Sequence, residues 1–236
     1  MRLAELLEST SPAARARAEM TGTWPVAGPL APLLPDGGLP CGVVTQAAGD
    51  LALALALTGG ASTARPAAWS AAVGLPELGL AAWAGHGQDL ARALLVDHPG
   101  EQHWAEVVSV LIPAVDVLLV APPPGALTPH LVQRLGARLR RHRCALVSTG
   151  PWPGAALHLE VAGHEGWEGL ADGHGQLTRR RVTVRSTGRL VWRAREAELL
   201  LPGASGAAET VVDAETSAVP PVVPLAAGWD AAAEAY

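Results

Sequence analysis

The stretch Gly37–Gly60, GGLPCGVVTQAAGDLALALALTGG, restricts the fold more than any other part of the chain. A Gly-Gly-Leu-Pro turn leads into Gly42-Val43-Val44-Thr45-Gln46, whose β-branched run predicts a strand. Ala47-Ala48-Gly49 breaks that run. Asp50 is placed to cap a helix, because its carboxylate can accept from the free N–H groups of a first turn. The Leu/Ala alternation over Leu51–Leu57 fits either period, but both residues are strong helix formers and follow a cap, which predicts a buried helix. Strand, glycine turn and helix form the layout of a phosphate-binding loop. That chemistry requires G-x-x-x-x-G-K-[ST], with loop N–H groups and a lysine around the phosphates and a hydroxyl on magnesium. Here Gly49 is followed by Asp50 and apolar residues, and the chain has no lysine at all. The one carboxylate in the turn repels phosphate. The stretch reads as a nucleotide-binding scaffold from which the nucleotide site has been removed.

A chain of 236 residues can build one sizeable core and a tail, and its 49% hydrophobic content predicts that most of it is globular. Lys, Asn and Phe are absent while Ala, Gly and Pro abound, a bias of GC-rich coding sequence, so the alanine content carries little weight as a helix signal. All 17 basic residues are Arg against 22 acidic ones, a net charge of −5 that lacks the basic footprint of a dedicated DNA binder. Cys41 and Cys144 are far apart, with no C-x-x-C and no paired His. They predict small buried residues in a reducing cytoplasm, not a zinc site or a disulfide framework. Met1–Glu5 lacks the apolar run of a signal peptide, and no apolar run is long enough to span a bilayer.

Taken in order, residues 1–20 predict an N-terminal helix with Leu3, Leu6 and Leu7 on one face, a candidate partner-docking element. Residues 21–202 predict the core. Thr21–Pro40 is an ordered connector anchored by Trp24, Leu33 and Leu34. Strands are expected at Ala67–Val73, Leu90–Val96, Val115–Val120 and Cys144–Ser148. Helices are expected after Gly74, over Glu101–Ile112 and over Thr128–Arg143. Strands alternating with helices of this length imply βαβ units and a mostly parallel central sheet flanked by helices. After Pro151 the pattern changes. Ala155–Val161, Gln176–Val184, Gly188–Arg195 and Ala197–Leu201 predict short antiparallel strands, with a hairpin signal at Ser186-Thr187-Gly188. Residues 203–236 read as a flexible Ala/Pro-rich tail, in which Trp229 and Tyr236 are candidate partner anchors.

With these elements placed, the chain resembles a RecA-type core over Leu33–Pro202. The GGLPCG turn, the strand-turn-helix, the strand Val115–Val120 and the late RRRVTVRSTGRLVWRAREAELLLP fall in RecA-like order. It is most similar to the actinobacterial ImuA-type (ImuA-prime) proteins, through LALALALTGGAS, AAVGLPELGLAA, VDVLLVAPP, LVSTGPWPGA and LLLPG. The departures from an active RecA are consistent. The Walker A loop is shortened to Gly49-Asp50. The strand VDVLLV runs into Ala121-Pro122 where an acidic magnesium partner belongs, with Asp116 at the wrong end. Thr149-Gly150 stands where a polar γ-phosphate sensor belongs, and Pro151-Trp152-Pro153-Gly154 is too short for a DNA-binding loop. Glu77, near the usual position of the catalytic glutamate, is left as a turn residue. The resemblance implies a catalytically inactive accessory subunit, without cofactor, of a DNA-damage-inducible mutasome for error-prone translesion synthesis. The implied partners are the Y-family polymerase-like ImuB and an error-prone C-family DNA polymerase, with RecA and a second copy of the chain as further candidates. The implied setting is the cytoplasm, at the nucleoid when DNA is damaged. The alternative is a non-ATPase protein that binds single-stranded DNA or modulates RecA filaments.

Other side chains offer less. His158, His164 and His174, with Glu160, Glu165 and Glu168, lack the spacing of a metal motif and read as a solvated Gly-rich loop. Ser148 lacks a nucleophile elbow. The arginines are denser. Arg138 and Arg141 end a helix, where cations suit the dipole. Arg179, Arg180 and Arg181 with Arg185 form a strand cluster in which Arg179, Arg181 and Arg185 share a face. Such a stripe can touch phosphates, with Trp192 nearby for stacking, or pair with an acidic partner.

Overall fold

The computed structural model describes residues 22–171 and 174–211. The helix expected over residues 1–20, with Leu3, Leu6 and Leu7, lies outside the described residues, as do the tail anchors Trp229 and Tyr236.

The apolar runs that predict strands become neighbours in one sheet. The strands are β1 (Thr23–Pro25), β2 (Gly38–Pro40), β3 (Val44–Ala47), β4 (Ser70–Val73), β5 (Ala93–Val96), β6 (Val117–Val120), β7 (Ala145–Ser148), β8 (Leu157–Ala171), β9 (His174–Thr187), β10 (Arg195–Leu200) and β11 (Glu209–Thr210). The helices are α1 (Leu51–Ala64), α2 (Leu80–Gly85), α3 (Glu101–Leu111) and α4 (Pro129–His142). β1 and β2 form a small antiparallel pair. The other nine strands form a single sheet in the order β11-β10-β9-β8-β3-β7-β6-β4-β5. From β8 to β5 every pairing is parallel, while β9, β10 and β11 are added antiparallel at the far end. This is the expected class: a mostly parallel central sheet flanked by helices, with antiparallel hairpin strands at its C-terminal end.

Alternation along the short strands sorts side chains to two cores, since successive residues point to opposite faces. Ala72, Val117, Leu119, Ala145 and Val147 join one apolar cluster with α1, while Ala71, Val73, Leu118, Val120 and Leu146 join another with α3 and α4. The helix α1 is apolar all round because it is covered on all sides: Leu53–Gly59 are buried without a break. Two glycines in its last turns permit that cover. A Cβ on Gly59 would sit 2.1 Å from the His86 carbonyl oxygen, and one on Gly60 2.4 Å from that of Pro25. Thr58 Oγ1 lies 3.1 Å from the Ala54 and Leu55 carbonyls and accepts from Trp83 Nε1 at 3.0 Å, so the buried indole N–H is satisfied. On the other face, Trp104 packs against Trp152 with ring centroids 6.3 Å apart.

The C-terminal half corrects three expectations. The stretch expected as a solvated Gly-rich loop, from His158 through His174, is a long two-stranded ribbon, β8 against β9. Register shifts at three places accommodate it, with Gly166 and Gly169 at positive φ. β9 runs to Thr187 and β10 begins only at Arg195, so Gly188 does not begin a strand. Residues 188–194 form the loop joining β9 to β10, and Gly188 has φ +127°. Residues 203–211, expected as the start of the tail, fold back onto the sheet, where β11 pairs with β10.

Candidate functional site

Open α/β sheets bind ligands outside the carboxyl ends of their strands. At that end the loops after β3, β4 and β7 enclose a cleft of about 400 Å³, lined by Gly49, Asp50, Leu51, Gly74, Leu75, Pro76, Glu77 and Thr149. A nucleotide would enter here if the resemblance held in full. The loop from β3 to α1 is only Ala48-Gly49-Asp50. That is shorter than the eight-residue phosphate-binding motif, and one N–H of the first turn of α1 is already engaged. Asp50 Oδ1 accepts from Leu53 N–H at 3.0 Å, and the Asp50 carbonyl accepts from Ala54 N–H at 3.3 Å.

The other carboxylate oxygen of Asp50 is also spent. Asp50 Oδ2 accepts from Arg180 Nη2 at 2.5 Å, between side chains only 11% and 17% exposed. Arg180 Nε donates to the Leu201 carbonyl at 3.1 Å, and the guanidinium lies 5.4 Å from the Trp167 ring centroid. Strand parity explains why Arg180 turns inward. It alternates with Val182 and Val184, both buried, and so shares their face. The positive charge beside this cleft therefore belongs to the protein and is bound to the protein's own carboxylate. Alternation along a strand lines up Arg179, Arg181 and Arg185 on one face, and Arg180 falls on the other with the buried Val182 and Val184.

The remaining loops are equally occupied. Ser148 Oγ donates to the Gly150 carbonyl at 2.9 Å, and Thr149 Oγ1 donates to that of Val120 at 3.4 Å. Gln46 at the end of β3 accepts from Trp152 N–H at 2.8 Å, tying down the Pro151–Gly154 turn, and Trp152 is buried. Asp116 lies at the opposite, amino end of β6, where its Oδ2 accepts from Trp69 N–H at 3.0 Å. Glu77 lines the cleft as an exposed turn residue. Near the amino end of the sheet, burial pushes the Cys41 thiol up to about 11, and Cys144 is fully buried, so neither is a nucleophile at neutral pH.

The outward arginines of β9 are paired with acids on its neighbours β8 and β10. Arg179 meets Glu168 at 2.5 Å, Arg185 meets Glu196 at 2.7 Å, and Arg181 meets Glu198 at 3.7 Å. The first two are directly opposed in register. On α4, Arg141 is exposed while Arg138 is half-buried. Among the described residues no three His, Cys, Asp or Glu side chains converge as a metal site, and no helix is long and apolar enough to cross a membrane.

A family model described as the MT3502 N-terminal domain matches residues 32–154. An uncharacterized protein of Mycobacterium tuberculosis (strain ATCC 25618 / H37Rv), Rv3395c, is 33% identical over 138 residues, covering 56% of this chain and 66% of that protein. The chain thus aligns with just under two thirds of that relative's length. The family match takes in the cleft loops and Asp50 and stops before β8, so Arg180 lies beyond it.

Proposed function

The chain belongs to the MT3502 N-terminal domain family, and we propose that it is a nucleotide-silent accessory subunit that works through protein contacts. The observation that carries this reading is the Asp50–Arg180 pair. A phosphate-binding loop needs open N–H groups and an uncommitted cation, whereas here a three-residue loop caps its own helix and holds its own arginine. The carboxyl end of β6, where Ala121-Pro122 stand in place of an acidic magnesium partner, supports the same reading.

The phrases shared with ImuA-type proteins, together with the parallel sheet and its antiparallel C-terminal strands, favour a place in an error-prone translesion mutasome. In that role the rigid core presents surfaces to the Y-family polymerase-like ImuB and to an error-prone C-family polymerase. The test is co-purification of the full chain with both proteins from the same genome. A stable complex that forms equally with and without ATP supports the proposal. No complex with either protein, or one that requires ATP, refutes it.

A further inference from the structure

The loop 188–194 between β9 and β10 holds Trp192 in water with 93% of its surface exposed, beside the partly exposed Leu190. The loop is nonetheless firmly mounted. Val191 is buried and its N–H donates to the Gly188 carbonyl at 3.3 Å. Gly188 packs so closely that a Cβ would lie 2.6 Å from the Ala156 carbonyl oxygen. Arg189 Nη1 donates to the Gly154 carbonyl at 3.0 Å. Arg195 Nη1 donates to the carbonyls of Leu34 at 2.8 Å and Pro32 at 3.2 Å. These partners are backbone oxygens, so both guanidinium charges stay uncompensated. No carboxylate occurs in Gly188–Arg195, and among the described residues Arg189, Arg193 and Arg195 make no ion pair.

We propose that Trp192, with Arg189 and Arg193, is a stacking site for the bases and phosphates of a single-stranded nucleic acid. A flat π-face on a fixed loop stacks on any base with little ordering cost, and flanking cations meet the backbone. A protein hot spot would sit inside a broader apolar patch ringed by mixed polar groups, whereas this loop offers one indole, one leucine and charges of a single sign. The site adjoins the Arg185 end of the Arg179–Arg185 cluster, whose arginines are already matched by carboxylates. It does not depend on the nucleotide-silent reading, and either can fail alone.

The test is fluorescence anisotropy of the full chain with a fluorescein-labelled oligothymidylate of about 20 nucleotides, across a salt series. Wild type is expected to bind at low salt. Trp192→Ala weakens binding about tenfold, while Trp192→Phe retains most of it. Arg193→Gln lowers the slope of log affinity against log salt by about 0.7, and Arg179→Gln leaves it unchanged. Because Trp192 is almost wholly exposed, Trp192→Ala is expected to melt as wild type does, which separates lost contact from lost fold. Absence of wild-type binding at low salt overturns the proposal. So does a Trp192→Ala variant that binds the oligonucleotide normally, including one that instead loses an acidic protein partner.

Discussion

Two runs of arginine follow one another along the C-terminal strands and are put to different use. In Arg179–Arg185 every arginine has a carboxylate: Glu168, Asp50, Glu198 or Glu196. In Arg189–Arg195 the arginines bond only to backbone carbonyls or face water beside an exposed tryptophan. Charge density along the sequence favours the first run as a contact surface. Register reverses that order, because β8 and β10 supply acids to the arginines of β9, while the loop has no facing strand to supply them. Within the first run a further split separates Arg180, drawn inward to Asp50, from its surface neighbours.

The widest gap is expected at Arg180. Arg180→Ala leaves Asp50 half of a broken, largely buried pair and is expected to cost about 3 kcal/mol in urea unfolding. Asp50→Asn, which keeps a capping side chain, is expected to cost less. Equal, negligible losses for both would erase the distinction between the inward arginine and its neighbours. Gly188→Ala is expected to cost about 2 kcal/mol, since the new Cβ meets the Ala156 carbonyl at 2.6 Å in a backbone conformation that favours glycine. It also disturbs the mount of Trp192, so it should weaken oligonucleotide binding even where the protein remains folded.

Acid sensitivity separates both runs from a third group, because arginine does not titrate in this range. Burial lowers the pKa of His86 from its ordinary 6.5. The unfolded chain therefore takes up a proton before the folded chain does. The stability tied to neutral His86 is complete above about pH 6.5 and is lost as pH falls toward the lower folded value. His86→Gln is expected to flatten that acid limb in urea midpoints measured between pH 7 and pH 5; an unchanged limb would assign it to other groups. The smallest effect is expected at Arg185→Gln. The Arg185–Glu196 pair is exposed, and no shift of the unfolding midpoint is expected.

Much of the parallel half was legible from local signals. Asp50 is the cap the sequence predicts, Thr128 and Arg143 bound α4 as its helical run suggests, and the apolar strands fall within a few residues of their expected places. The three departures from the nucleotide motifs are short sequence stretches at fixed offsets and can be read without any fold. The ribbon cannot. Its glycines and polar residues read as loop, since neither strand has an apolar face along its whole length and bulges break the period. With the β8–β9 ribbon read as loop and the start of β10 displaced, no cross-strand partner can be named, so Glu168 and Glu196 are not legible as partners of Arg179 and Arg185. The pair between Asp50 and Arg180 spans 130 residues and depends on how β9 lies over the start of α1, which local sequence does not encode.

Isothermal titration of magnesium-ATP into the full chain is the most direct measurement of the central claim. With Asp50 bound to Leu53 and Arg180, and with the cleft's arginine committed to that carboxylate, the expected result is no saturable heat. Saturable binding in the micromolar range would contradict it and return the cleft to a nucleotide.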